Sequence, residues 1–151
     1  DKPAAAQRFV DVYGQLPDAI RRRLVIENDE RQFNLADNLA IHAACGVPVL
    51  FDVFHHRLFN EGESLAEALD AVVPTWAGHG PAMIDYSSQN PQKQAGAHTI
   101  SIDLGDFGPV LDELIGRDVD LMLEIKDKET SVLRAIDLVR ERARSMPVTV
   151  S

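Results

Sequence analysis

The sequence is poor in cysteine, in basic residues and in long apolar runs, and each shortage excludes a class of protein. Cys45 is the one cysteine among 151 residues, which excludes an internal disulfide framework and fits a reducing, cytoplasmic compartment. No apolar run approaches the roughly 20 residues that a membrane-spanning helix needs, so no membrane partner is expected. Lys and Arg number 15 against 24 Asp and Glu, and the net charge of −9 argues against binding polyanions through clustered cations.

The remaining composition is that of a folded domain. Hydrophobic residues make up 45% and charged residues 26% of the sequence, which is ordinary for a globular protein. The length corresponds to one domain, so we expect residues 1–151 to form a single domain. The sequence begins at Asp1 without an initiator Met, as a piece of a longer protein would.

Short apolar runs alternate with amphipathic segments along the chain. The amphipathic segments predict helices over residues 3–16, 35–45, 64–72, 103–115 and 130–145. The apolar runs predict strands over residues 24–26, 47–51, 82–84 and 119–123. Continuous apolar strands alternating with helices are typical of a parallel sheet. We therefore predict an α/β fold of parallel β/α units with about four strands.

Each predicted strand ends at an acidic residue. These are Glu27, Asp52, Asp85 and Glu124, and they lie about 25 to 39 residues apart. A TIM barrel averages about 31 residues per β/α unit, so four units amount to half a barrel. The carboxyl ends of parallel strands point the same way and carry the active site, so the four carboxylates are expected to converge.

Converging carboxylates repel one another, so a cation is expected among them. His55 follows Asp52 by three residues, and His98 follows the third predicted strand. An oxygen-rich ligand set with a few imidazoles suits Mn²⁺ or Zn²⁺. A lone acid after a strand usually caps a helix or lies in a solvated loop, but four such acids with two histidines favour a metal site.

Structural roles are assigned to other residues near these motifs. Asp29 and Glu30 are interpreted as loop or capping residues. His56 is expected to point away from His55 on a strand-like backbone, His79 to lie in a glycine-rich turn, and Trp76 to pack in the core.

Five segments together resemble a known family. They are residues 23–29, 46–56, 83–89, 96–98 and 121–129. The Asp-His-His step at residues 52–56 and the run Met-Leu-Glu-Ile-Lys-Asp-Lys-Glu at 122–129 are specific in combination. In order and spacing, the sequence is similar to the C-terminal half of the UV damage endonuclease (UvdE) family.

The resemblance implies a TIM-barrel DNA repair endonuclease with a metal cluster, usually Mn²⁺, with Zn²⁺ or Mg²⁺ as alternatives. It implies UV-damaged double-stranded DNA as substrate, with incision on the 5′ side of photoproducts by a cytoplasmic, nucleoid-associated enzyme. The implied catalytic residues are Glu27, Asp52, Asp85 and Glu124. The same four residues with His55 and His98 are the implied metal ligands.

The sequence departs from the family pattern in two ways. Met83-Ile84-Asp85 stands where many members have Lys-x-His, so a carboxylate replaces an imidazole and the lysine is lost. The first half of the barrel has no counterpart here. Half a barrel exposes two sheet edges, so we expect the missing N-terminal half or a second copy to cover them.

Two other functions fit the same residues. A metal-dependent sugar isomerase or epimerase uses similar ligands on the same barrel, and a non-catalytic metal-binding half-barrel needs no complete site. We expect the isolated chain to bind its inner metal but not to cleave irradiated DNA.

Overall fold

The computed structural model of the chain describes residues 1–145. In chain order the elements are α1 (Lys2–Tyr13), α2 (Asp18–Arg21), β1 (Ile26–Glu27), α3 (Leu35–Cys45), β2 (Val49–Asp52), α4 (Val53–Leu58), α5 (Leu65–Val72), β3 (Ala82–Tyr86), α6 (Leu104–Leu114), β4 (Val119–Leu123) and α7 (Glu129–Ser145). A 3₁₀ turn over Val73–Trp76 follows α5. No helix within residues 1–145 has the length and apolarity to cross a membrane.

The four strands form one parallel sheet in the order β1-β2-β3-β4. Helices connect the successive strands, so the chain is built of consecutive β/α units. The predicted α/β class and parallel sheet are confirmed. An all-parallel sheet with its strands in sequence order is the arrangement found in a segment of a TIM barrel.

Side-chain caps fix where two of the helices begin. Asn34 accepts from the backbone N–H of Asp37, whose carboxylate accepts from the N–H of Asn34 in return. Ser64 and Glu67 form the same reciprocal box at the start of α5, where the sequence predicts a helix over residues 64–72. At the other end of α3, Gly46 adopts φ of 76°, the left-handed conformation that ends many helices.

The core lies between the helices and one face of the two central strands. Val49 and Phe51 of β2 and Ile84 and Tyr86 of β3 are fully buried against the helices. The indole N–H of Trp76 donates to the carbonyl of Val49 at 2.7 Å, which confirms the core position predicted for this residue.

The two outer strands are much less buried. On β4, partly buried and exposed positions alternate, and Met122 is 47% exposed. The apolar face predicted for the last helix is also open: Leu133 is 62% exposed, and Ile136 and Val139 are exposed as well. Within residues 1–145, no core therefore covers these three side chains.

The structure corrects several predicted boundaries. The first helix ends at Tyr13 rather than residue 16, and residues 18–21 form an additional short helix. The residues after Asp52 were expected to be strand-like loop, but they form α4, because the Asp52 carboxylate accepts from the N–H of His55 and caps a helix there. His56 accordingly lies on a helix rather than on an extended backbone.

Candidate metal centre

The strand register places the four strand-end acids on one face of the sheet. Glu27 is paired with Leu50, and Asp52 with Asp85. Asp85 is in turn paired with Met122, two residues before Glu124. Since alternate residues of a strand face opposite sides, all four acids share the face opposite the helix-packed core, at the carboxyl end of the sheet.

Three residues form a compact group of metal-type ligands. Glu27, Asp52 and His55 each offer one atom, and these atoms lie within 4.8 Å of one another. The Nδ1 atom of His55 is 3.3 Å from Oε1 of Glu27 and 3.5 Å from Oδ2 of Asp52. Glu27 lies at the end of β1, Asp52 at the end of β2 and His55 in the first turn of α4.

Two acids of the inner strands carry buried oxygens without partners. Asp52 is fully buried and Asp85 is 4% exposed. Among the described residues, Oδ2 of Asp52 and Oδ1 of Asp85 have no hydrogen-bond partner. Unpartnered buried carboxylate oxygens are costly, and a bound cation is a group that can satisfy them. The donor set therefore fits a hard or borderline divalent cation.

Burial and neighbouring charges perturb the titration of these acids. Burial raises the pKa of Asp85 to about 7, and the nearby carboxylates of Glu124, Glu27 and Asp52 push it in the same direction. Burial also raises the pKa of Asp52, despite the hydrogen bond that its carboxylate accepts from His55. The electrostatic influence of all three neighbours on Asp85 shows that the four acids share one local field.

His55 carries the opposite perturbation. Its hydrogen bond with Glu27 raises the pKa of the imidazole to about 9, and the Asp52 charge adds to this effect. Nδ1 also lies 3.0 Å from the carbonyl oxygen of Asn28. In the metal-free chain, the imidazolium form thus offsets part of the negative charge of the acidic residues.

Asn28 is a supporting residue that the sequence did not reveal. It is fully buried, its Nδ2 donates to the carbonyl of Asp52 at 2.9 Å, and its Oδ1 accepts from the N–H of Asp52 at 2.9 Å. Together with its carbonyl contact to His55, this amide ties β1 to the start of α4. Its only sequence signal is its position directly after the strand-ending Glu27.

His98 lies beside the three-residue group rather than in it. Its ring centroid is 6.5 Å from that of His55 and 5.0 Å from that of Phe54, with an edge-to-face arrangement against Phe54. Glu30 was interpreted as a loop or capping residue, but its Oε2 lies 3.9 Å from Nε2 of His55. Asp29 does cap its turn, accepting from three following backbone N–H groups.

The other two histidines near the motifs lie elsewhere. His56 is buried against the Phe51 ring at 5.1 Å between centroids, so it faces away from the acids. His79 is exposed in a turn between two glycines with positive φ, as predicted.

Comparison with known proteins identifies the family. The model of the family "UV-endonuclease UvdE" matches residues 1–149. A UV DNA damage endonuclease from Clostridium perfringens is 36% identical over 144 residues, covering 93% of this chain and 35% of the relative. One from Bacillus pumilus is 33% identical over 142 residues, covering 91% of this chain and 44% of the relative.

A solved structure agrees with both relatives. The crystal structure of SacUVDE superposes with a TM-score of 0.88 at 42% identity, covering 94% of this chain and 48% of that chain. The chain thus spans between a third and a half of the length of these relatives, and its fold corresponds to part of theirs. With the family match extending over nearly every residue, the chain belongs to the UV-endonuclease UvdE family.

Proposed function

We propose that this chain provides the carboxylate-rich half of the catalytic centre of a DNA repair endonuclease. The enzyme hydrolyses a phosphodiester on the 5′ side of photoproducts in UV-irradiated double-stranded DNA. The family match and the names of the relatives support this function. The sharing of one sheet face by four acids is the arrangement that metal-assisted hydrolysis requires.

The observation that carries the proposal is the pair of unpartnered buried oxygens on Asp52 and Asp85. Asp52 belongs to the group of close ligand atoms with Glu27 and His55, and Asp85 is paired with Asp52 on the neighbouring strand. We assign Glu27, Asp52, Asp85 and Glu124 to an inner metal, and His55 and His98 to an outer one. Mn²⁺ is the proposed ion, with Zn²⁺ and Mg²⁺ as alternatives.

The chain's own residues prepare this site in three ways. Asn28 fixes the backbone of Asp52 from both sides, so the carboxylate is held before any ligand arrives. The α4 cap fixes the Asp52 side chain and places His55 one turn into the helix. The field of four acids concentrates divalent cations at this end of the sheet. When bound, such cations lower the pKa of water and stabilise charge on the phosphate.

The proposal includes a complementary chain segment. The chain, taken as one domain over residues 1–151, corresponds to part of a barrel, and its outer strands and the face of α7 are open. We propose that the other half of the barrel covers these surfaces and adds further ligands. The enzyme is expected to work in the cytoplasm, where bacterial DNA is located.

A metal titration paired with a nicking assay tests the function. The first sample is the chain alone, and the second is the chain joined to the part of the Clostridium perfringens relative that it does not cover. We expect both samples to bind Mn²⁺, and only the joined protein to nick irradiated plasmid. Cleavage of plasmid irrespective of irradiation would contradict the repair function.

A double variant provides the control for the metal centre. Asp52→Asn with Asp85→Asn keeps side-chain shape but removes both buried charges, so Mn²⁺ binding and nicking should both be lost. Mn²⁺ binding that is unchanged in this variant would contradict the assigned site. Robust nicking by the chain alone would show that the complementary half is not needed.

A further inference from the structure

A groove of about 520 Å³ runs beside the metal centre and has no role in the ligand set. One wall is α4, with Phe54, Arg57 and Leu58. The other wall is the loop between β3 and α6, with Asn90 and Lys93, and Asp106 of α6 also lines the groove. We call this the Arg57 groove. It joins the metal centre at Phe54, whose ring meets the ring of His98 edge to face.

Hydrogen bonds of the Gln89 side chain stabilise the loop that forms one wall of the groove. The side-chain Nε2 of Gln89 donates to the carbonyls of Asn90 and Gln94 at 2.7 and 3.0 Å, and its Oε1 accepts from Gly96. The backbone of Gln89 is bridged to that of His98 across the loop. One braced loop therefore carries His98 at its base and Lys93 at its tip, and it fixes the separation between them.

Arg57 is held in place by a chain of hydrogen bonds that runs from the surface to the buried Tyr86 and Ser88. Its Nη1 donates to both carboxylate oxygens of Asp106 at 2.8 Å. Asp106 also accepts from the hydroxyl of Tyr86 at 2.7 Å, and Tyr86 and Ser88 share a hydrogen bond of 2.9 Å. Because Asp106 engages only Nη1 of Arg57, Nε and Nη2 are left outside this ion pair. An oriented guanidinium with remaining donors is suited to a phosphate oxygen.

The charge of the groove contrasts with that of the metal centre. The sheet face beside it carries four acids, and the whole chain has a net charge of −9. The groove instead brings Arg57 and Lys93 together with a single acid, Asp106. Two cations beside an acidic centre, in an otherwise acidic chain, favour the binding of an anion. An elongated anion could extend from the metal centre into the groove.

We propose that the Arg57 groove holds the DNA strand on one side of the phosphodiester at the metal centre. Arg57 and Lys93 bind a backbone phosphate, and Tyr86 is a positioning residue that acts through Asp106. The proposal rests on the proposed endonuclease function and adds the residues that hold the strand. Phosphate contacts of this kind fix register without reading sequence.

The test is a binding measurement that is independent of cleavage. Fluorescence anisotropy follows an irradiated, labelled duplex bound to the joined protein, with Ca²⁺ in place of Mn²⁺, over a salt series. Arg57→Gln and Lys93→Gln should each weaken binding about 3- to 10-fold and lower the slope of log K against log salt by about 0.9 per lost phosphate contact. Arg140→Gln, which makes the same charge change on α7 at a residue outside the groove lining and beside Asp137, should change affinity less than about 2-fold.

Tyr86→Phe separates positioning from charge. It leaves every charge in place but releases Asp106, so affinity should fall about 2- to 3-fold with the salt slope unchanged. Thermal midpoints of all variants show whether they fold. Folded Arg57→Gln and Lys93→Gln proteins that lose no more than Arg140→Gln would overturn the groove inference. The metal titration and nicking assay would still stand in that case, and wild-type protein that fails to bind DNA at all would contradict both proposals.

Discussion

The inner and outer strands of the sheet have similar sequences but different surroundings. Phe51 of β2 and Ile84 of β3 are fully buried, whereas Leu121 and Met122 of β4 are partly or largely exposed. Each strand is parallel to its neighbours and carries or directly precedes one of the four acids. Phe51, Ile84 and Leu121 lie side by side in the sheet, so the lower burial of Leu121 reflects its position on an edge strand.

The same division applies to the acids. Asp52 and Asp85 end the inner strands and are buried, whereas Glu27 and Glu124 end the outer strands and are exposed. The inner pair carries unpartnered oxygens and raised pKa values, so its charges cost folding free energy in the metal-free chain. In the proposed site, the exposed pair would add ligands without that cost. Metal binding would then be coupled to folding stability through the inner strands rather than through the outer ones.

The largest expected effect is the loss of DNA incision when the acid of an outer strand is replaced. Glu124→Ala should abolish incision by the joined protein and lower Mn²⁺ affinity, because a ligand at the shared sheet end is lost. Its unfolding free energy should change by no more than about 0.5 kcal/mol, since the residue is exposed. Nicking assays and denaturant titrations measure the two quantities. Full cutting with unchanged metal binding would contradict the role of Glu124.

The largest expected effect on stability comes from an inner strand. Phe51→Ala should lower the unfolding free energy by about 3–5 kcal/mol, because a fully buried ring is replaced by a cavity. Met122→Ala on β4, where the side chain is 47% exposed, should cost no more than about 0.5 kcal/mol in the isolated chain. Denaturant unfolding of both variants checks this, and equal losses would mean that β4 is as well packed as β2.

An inner acid should control metal affinity. Asp52→Asn retains a good helix cap for α4 but removes the buried charge, so Mn²⁺ affinity should fall about 100-fold, or about 2.7 kcal/mol. Asp103→Asn makes the same change at the cap of α6 and should alter affinity less than about 2-fold. Calorimetric titration measures both. Similar losses in the two variants would assign the effect to capping rather than to ligation.

The smallest expected effect is a pH-dependent gain in stability. The pKa of Asp85 is raised from 3.8 to about 7, so this group favours folding most when protonated, and its contribution is lost as the pH rises through 7. Without metal, Asp85→Asn should raise the thermal midpoint at about pH 8 by about 2–4 °C, and the gain should vanish near pH 4.

The exposed Asp120 on β4 offers the control for this pH experiment. Asp120→Asn should shift the thermal midpoint by less than about 1 °C at both pH values. A gain for Asp85→Asn that is the same at both pH values would show that its cause is packing and not charge.

Local patterns in the sequence were sufficient to predict most of the architecture. Apolar runs separated by amphipathic segments indicated four strands in a parallel sheet and most of the helices between them. The shared direction of parallel strands placed the four acids at one end of the sheet. These inferences succeed because each depends on residues close together in sequence or on a rule of parallel sheets.

Features that depend on distant contacts were not predictable in this way. The segment after Asp52 begins with valine and phenylalanine, which favour a strand by propensity, yet the Asp52 cap makes it helical. The role of Asn28 depends on hydrogen bonds to residues 24 positions away. The periodicity of α7 correctly indicated an apolar face, but periodicity does not identify what covers such a face.

The two oxygens of the Asp52 carboxylate have different hydrogen-bonding environments. Oδ1 accepts from the N–H of His55 and starts α4, whereas Oδ2 is buried without a partner. A cation bound through Oδ2 alone would leave this cap in place, whereas one that also engaged Oδ1 would share that oxygen with the N–H of His55. Binding through Oδ2 is therefore the mode that leaves the first turn of α4 and His55 undisturbed.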